Sequence, residues 1–468
     1  MIRLRGFSLL LACAVVPSVA PAQQTQLAAL PDGPPAVLPN LRAAASRITP
    51  AQTSSQPSSA VPGPKLTLTE AERMALQHNP NVSIARLLQL AQAQVTREAR
   101  SAELPFAEGD LTAVDAHPNS RLTAGALNNP IVYQRAAAGL TVHQLISDFG
   151  RTHDLIRNAQ SLTKAQLEAE RATEDDIRLV VDQAYYLALS EQSVLRIAQQ
   201  TVTARQATSD QITALTSQNL RSTLDQSLAE VQLSQAKLLL LDAQNAFHAA
   251  LASLNAILGS EGHERYELVD ETPDNPQPAP GNAEDLVQSA FSARPDLLAQ
   301  NDRSLAAKQF AQAEHDLVRP TISALATAGG TPVRADQIQS NWYGAAGANL
   351  SIPLFNGFAY SARAKEADLR AQAAQEQVRN LRDSIARDVR TAVLDAENAY
   401  QRIDVSKQLL DQSNTALELA QARYKVGLSG IVDLTQAQLA QTEAEIAYAN
   451  AKYQYQTALA VVRYQTGQ

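Results

Sequence analysis

Residues 422–438 read ARYKVGLSGIVDLTQAQ, and two glycines in this stretch, Gly427 and Gly430, interrupt a run that is otherwise helical in composition. Residues 358–426 contain neither Gly nor Pro. A relative of the stretch, ALTSQNLRSTLDQSLAE (Ala214–Glu230), lies about two hundred residues earlier, inside a second Gly- and Pro-free run over 151–258. Gly and Pro are the residues that most disfavour helix interiors, so both runs can be helical over great lengths. At ~1.5 Å rise per residue, a helix over 151–217 is about 100 Å long. No compact domain holds such a helix; it belongs to a coiled coil or a tube wall. Val378, Leu381, Ile385, Val389, Ala392 and Ala396 recur at steps of three and four residues, as a helix-packing stripe does.

The two stretches belong to a longer repeat. NPNVSIARLLQLAQAQ (from Asn79) parallels RPDLLAQNDRSLAAKQ (from Arg294). Pro80 pairs with Pro295 and Pro105 with Pro320, both at an offset of 215. LTVHQLISDFG (Leu140–Gly150) parallels LSIPLFNGFA (Leu350–Ala359) with one deletion, and Asp225 with Asp433 and Gly259 with Gly467 share an offset of 208. An internal duplication is the simplest account, with repeats over 66–259 and 282–468 joined by a linker at 260–281. Each repeat begins with a helix, about 67–103 and 283–317, ending near a proline. Thr67 and Glu70 have the spacing of a capping box. Two short segments follow, then a very long helix, then a shorter one.

The short segments, expected at about 105–115, 132–143, 320–330 and 341–353, alternate in character. In NWYGAAGANLSI, Trp342, Gly344, Ala346, Ala348, Leu350 and Ile352 alternate with Tyr343, Ala345, Gly347, Asn349 and Ser351. In VYQRAAAGLTVHQ, Val132, Gln134, Ala136, Ala138, Leu140 and Val142 alternate with Tyr133, Arg135, Ala137, Gly139 and Thr141. One apolar face and one small or polar face is the dyad pattern of membrane barrel strands, and equally of a half-buried soluble sheet. Trp342 and Tyr343, at a strand end, are the candidate aromatics for a lipid headgroup interface. Four strands cannot close a membrane barrel, which needs about eight, and an open edge cannot face lipid. On the membrane reading, therefore, several copies share one barrel. DAHPNSRLTAGALNNP and TPVRADQIQS are its polar outer loops.

The rest of the chain bounds the setting. Among 468 residues, 39 are basic and 47 acidic, and no basic patch suggests nucleic acid. Arg3 and Arg5, the apolar Phe7–Val16 and the Ala20-Pro21-Ala22 triplet make an export signal over 1–22. The only cysteine, Cys13, lies inside it; LLAC resembles a lipoprotein box only weakly. Cleavage after Ala22 leaves a chain without thiols or disulfides. Residues 23–64 carry eight prolines among Ala, Ser and Gln and read as a disordered lead-in. No run of eighteen apolar residues follows, so no transmembrane helix is expected.

From Leu66 to Gln468 the chain resembles the TolC family of outer-membrane efflux and secretion channels. The resemblance rests on LTLTEAERMALQHNP, RPDLLAQ, PLFNGF, QLISDFG and RYKVGLSGIVDLTQAQ, in the same order in both halves. It implies a mainly α fold of long coiled-coil hairpins with four strands per subunit, a homotrimer with one twelve-stranded barrel, and a periplasmic tunnel. It also implies the partners: a periplasmic adaptor protein, an inner-membrane transporter of RND or ABC type, and outer-membrane lipid. Gly427 and Gly430 then mark a helical hairpin at the inner end of the tunnel, and Asn219 takes the place of Gly427 in the duplicate. Val426, Gly427, Leu428, Ser429 and Gly430, with Asn219 and Leu220 in the duplicate, become the adaptor-docking tip. Asp433 matches an acidic constriction residue, and Tyr424 a tyrosine linking helices in the closed state. Gln436 and Ser429 stand where the family prototype has a second acid and a basic residue.

Chemistry-bearing motifs are missing. The seven histidines are scattered without metal spacing, GLSG is one residue short of a nucleophile elbow, and no phosphate loop is present. Neither an enzyme activity nor a cofactor is expected. The alternative to an export duct is a non-conducting periplasmic coiled-coil scaffold, against which the amphipathic strands count.

Overall fold

The computed structural model describes residues 64–117, 134–259, 266–273, 276–278, 281–333 and 340–468. The expected export signal, Cys13, all of the proline-rich lead-in but Pro64, and the middles of both outer loops lie outside these residues.

The two halves fold alike. The first runs β1 (Lys65–Leu66), α1 (Leu68–His78), α2 (Pro80–Ser101), β2 (Phe106–Val114), β3 (Arg135–Ser147), α3 (Arg151–Ser217) and α4 (Thr223–Leu258). The second runs β4 (Glu267–Leu268), α5 (Ala283–Ala293), α6 (Pro295–His315), β5 (Thr321–Val333), β6 (Trp342–Ser351), α7 (Ala359–Lys425) and α8 (Ile431–Thr466). The long helices have 67 residues in each half and the shorter ones 36, so both hairpins turn at the same level.

The first helix of each repeat differs from the single element expected. It breaks into α1 and α2, and into α5 and α6, at the residue before a proline. Proline disfavours the helical region for that residue. Asn79 takes φ −68° and ψ 125°, and Arg294 φ −66° and ψ 121°. Pro80 and Pro295 then open new helices, where their missing N–H costs nothing. The Thr67 capping box is half made: Thr67 Oγ1 accepts from Glu70 N at 3.3 Å, while the Glu70 carboxylate pairs with Arg73.

Packing is coiled-coil-like, with small residues at close approaches. Ala311, Ala367 and Ala371 cluster where α6 meets α7. The largest core, around Tyr185, Leu189, Leu254 and Leu258, holds the parallel pair β1–β4. Tyr185 Oη lies 2.8 Å from the carbonyl oxygens of both Leu66 and Val269. That phenol ties both short strands to α3.

The strands form one antiparallel sheet in the order β2-β3-β5-β6, so β2 and β6 are its edges. The register assigns every side chain to a face, because residues directly opposite share one. Gly109, Leu140, Ala328 and Gly344 lie in one row, and Leu111, Ala138, Gly330 and Trp342 in another. Apart from Gln144 and Ser147, the paired residues of that face are Ala, Gly, Val, Leu, Ile and Trp. The opposite face carries Glu108, Asp110, Thr112, Thr141, His143, Thr327 and Asn349, with Phe106, Leu145 and Leu325 at its helix-side end. Tyr343 belongs to this polar face, where its ring lies over Gly139 and Gly329.

Two expectations follow from these positions. A Cβ on Gly329 would fall 2.4 Å from both Ala138 O and Tyr343 Cζ, whereas one on Gly347 would meet nothing within 4 Å. Gly329→Ala should therefore cost about 2 kcal/mol or more through forced repacking, and Gly347→Ala less than about 0.5 kcal/mol, read as thermal unfolding midpoints in detergent. At the second hairpin Gly427 has φ +76°, but Gly430 is extended at φ −83°. Gly427→Ala should cost about 1 kcal/mol of left-handed strain. Gly430→Ser should instead gain roughly a few tenths of a kcal/mol, by supplying the missing helix cap.

Candidate channel tip and sheet faces

The two helical hairpins end side by side. Each turns through a left-handed residue, Asn219 at φ 59° and Gly427 at φ +76°. Both turns close with the same pair of bonds: Asn219 N to Thr216 O and Leu220 N to Leu215 O, and Gly427 N to Tyr424 O and Leu428 N to Arg423 O. These are Schellman closures, in which the residue after the left-handed one is apolar. That residue, Leu220 or Leu428, is 65% or 72% exposed. Val426, Leu224 and Val432 are exposed beside them. The tip therefore presents aliphatic side chains to solvent from both hairpins.

Gly430 lies in the hairpin as expected, in extended backbone rather than the left-handed region, as the N-cap of α8 with no side-chain cap bond. Its duplicate, Ser222, caps α4 by accepting from Asp225 N at 3.1 Å. Asp225 and Asp433 both sit in the first turn of their helices, where a carboxylate suits the helix dipole. Asp433 is exposed and Asp225 half-buried.

Tyr424 is buried in an apolar cluster with Ile212, Ala229, Ile431 and Leu434, which joins α3, α4, α7 and α8 near their ends. The Arg221 guanidinium stacks 4.3 Å from its ring centroid and donates to its backbone oxygen at 2.9 Å. The Tyr424 hydroxyl is buried without a hydrogen-bond partner among the described residues. Burial pushes this phenol above its ordinary pKa; Arg221 opposes the shift and Asp225 adds to it. Sequence reasoning missed Arg221. Its signal was the 208 offset, which sets Arg221 opposite Ser429, so that a basic residue absent from one hairpin is present in the other. The Ser429 hydroxyl is also buried without a partner among the described residues.

At the sheet, Trp342 stands exposed on the apolar face. Tyr343, expected beside it at a headgroup interface, is corrected to the opposite face, because consecutive strand residues point to opposite sides. Among the described residues no group of three or more His, Cys, Asp or Glu could hold a metal ion, and no helix is long and apolar enough to cross a membrane.

A family described as outer membrane efflux protein matches the chain over 72–260 and 286–468, one segment in each half. TolC of Salmonella enteritidis is 25% identical over 407 residues, covering 83% of this chain and 80% of that protein. OprJ of Pseudomonas aeruginosa is 27% identical over 410 residues, covering 82% and 81%. Among solved structures, the fold is similar to that of the CmeC outer membrane channel of Campylobacter jejuni, with a TM-score of 0.73 at 17% identity, covering 86% of this chain and 85% of that one. It is also similar to the open state of MtrE from Neisseria gonorrhoeae, with a TM-score of 0.71 at 20% identity, covering 86% and 88%. The chain belongs to the outer membrane efflux protein family, and it is a non-enzymatic efflux channel of the Gram-negative outer membrane.

Proposed function

We propose that three copies assemble into the exit duct of a tripartite export system. The observation that carries this reading is the sheet, with one almost wholly apolar face and two unpaired edges, β2 and β6. In lipid those edges must pair, and each unsatisfied backbone group would cost several kcal/mol. Three sheets of four strands close into twelve, within the size range of membrane barrels; channels of the TolC family are trimeric in known structures. The polar face then lines a water-filled lumen, and the long hairpins continue it into the periplasm.

In this assembly residues 1–22 direct export, 23–64 lead in, and the repeats 66–259 and 282–468 build barrel and tunnel. The exposed tip of Val426–Gly430, with Asn219 and Leu220, docks a periplasmic adaptor. An inner-membrane transporter of RND or ABC type supplies the energy, and the cargo is small molecules or secreted polypeptides. Asp433, brought threefold around the axis, makes a cation-attracting constriction. Tyr424 supports it from behind, by tying the ends of both hairpins together.

Single-channel conductance of the purified assembly in a planar bilayer tests this. Wild type should give small cation-selective openings, and Asp433→Ala should enlarge them or abolish their selectivity. Equal currents from both would remove Asp433 from the constriction. No current from inserted trimer would leave the non-conducting scaffold. Independently, the Leu220→Asp/Leu428→Asp double variant should keep its trimer but lose copurification of the adaptor by tenfold or more.

A further inference from the structure

Buried charges in this molecule come with partners, with one exception. Among the described residues the buried charged side chains are Asp182, Arg205, Arg294, Glu314 and Asp316. Glu314 lies 2.7 Å from Arg363, Arg294 2.7 Å from Asp296, Asp316 3.0 Å from Arg319 and Asp182 3.2 Å from Arg463. Arg205, on α3, is 6% exposed, and its guanidinium makes no ion pair or hydrogen bond with any described residue. Burial alone lowers its pKa, and no neighbouring charge shifts it either way. A guanidinium stays protonated nonetheless.

Packing does not account for the arginine. Arg205 shares a buried stripe of α3 with Ala198, Ser209 and Ile212, spaced as coiled-coil layers are. At the 208 offset its duplicate on α7 is Ser413, 7% exposed, whose hydroxyl donates to the Leu410 carbonyl at 2.9 Å. A serine bonded to its own helix thus fills the same layer of the second half. The first half holds a full positive charge there, and an isolated charge is among the costliest groups to bury.

The surroundings define what would complete it. Helix α8 crosses one turn away, where Gln438 Nε2 donates to Thr208 Oγ1 at 3.4 Å. Gln438 Oε1 is buried without a partner among the described residues. The Ser209 side chain, one turn from Arg205 on the same helix, is 5% exposed and makes no hydrogen bond with them either. A guanidinium offers five N–H donors and no acceptor, so its partner must accept. That partner must be negative to balance the charge, and small to fit a site so little exposed. No second cation acts on Arg205, so nothing is present to balance a dianion. A half-turn of the Gln438 amide puts its nitrogen where the orphaned oxygen lies and adds a neutral donor.

We propose that Arg205 binds a small inorganic monoanion of the chloride class in the seam between α3 and α8, with Ser209 and the Gln438 amide as neutral donors. The site lies within one chain, ~18 Å along the helix before the end of α3. It is separate from Asp433 and from the sheet, and it stands whether or not three copies assemble. The bound anion adds a charged bridge between the first hairpin and α8, beside the long Thr208–Gln438 bond.

Salt exchange tests this on the protein purified in detergent. Thermal unfolding midpoints are compared in sodium chloride, sodium bromide and sodium gluconate at equal ionic strength, which holds screening constant. Chloride and bromide should raise the wild-type midpoint by about 2 °C or more over gluconate, by binding the folded state. Arg205→Ser, which installs the duplicate's residue, should remove that difference. In crystals of the wild type soaked in bromide, anomalous scattering should place an ion at the Arg205 guanidinium; this arm reads occupancy without any variant. Equal wild-type midpoints in all three salts, a halide response that survives Arg205→Ser, or a guanidinium with no bromide beside it would overturn the site.

Discussion

Lipid offers no hydrogen bonds to a backbone, and that constraint organises this molecule. A sheet of four strands has two open edges whatever its side chains are. In water such edges can be solvated or blunted with charge. Here β2 and β6 belong to a sheet whose apolar face is fit for hydrocarbon, so their edges can be satisfied only by other strands. In the proposed trimer, oligomerisation therefore satisfies the sheet edges, and the long helices, each following a strand of the sheet, would share its symmetry. Asp148 shows how tight that passage is: its carboxylate accepts from the backbone of Gly150 and Thr152 and from the Thr152 hydroxyl, fixing α3 within four residues of β3.

Much of this was legible because long helices announce themselves by omission. The Gly- and Pro-free runs contain α3 with α4 and the whole of α7, and the offsets of 215 and 208 placed matching elements in both halves. The strand faces were legible from alternation, and the register only had to align them. The breaks at Asn79 and Arg294 were not read, because Pro80 and Pro295 were used as repeat markers rather than as helix starts. Tyr343 was misplaced by grouping it with Trp342 as an aromatic, although alternation already separated them. Arg221 carries no motif. Its role depends on two hairpins meeting in space, which no local pattern records.

The duplication also explains where the chain departs from its own symmetry. Some core positions keep their residue, Ile177 with Ile385 and Val181 with Val389, and others change, Tyr185 with Val393 and Leu258 with Thr466. At the tips the halves diverge: Arg221 faces Ser429, Ser222 faces Gly430, and Asn219 faces Gly427. Asn219, Ser222, Gly427 and Gly430 are exposed at the tip, whereas Arg221 also packs on Tyr424 and so bears on the helices behind.

That divergence makes the two hairpins unequal in stability. Helix α4 starts with a Ser222 cap, worth roughly a few tenths of a kcal/mol over the glycine start of α8. Helix α8 starts at Gly430 with no side-chain cap, beside a Ser429 hydroxyl and behind a Tyr424 hydroxyl that are both buried without partners among the described residues. An unpartnered buried hydroxyl costs about 1–3 kcal/mol, and water can relieve that cost only if the packing opens. What holds the α7–α8 end is the apolar cluster around Tyr424 and the single reach of Arg221 from the neighbouring hairpin. The helix start beside Asp433 is thus the less well capped of the two, and the cluster around Tyr424 ties it to the first hairpin.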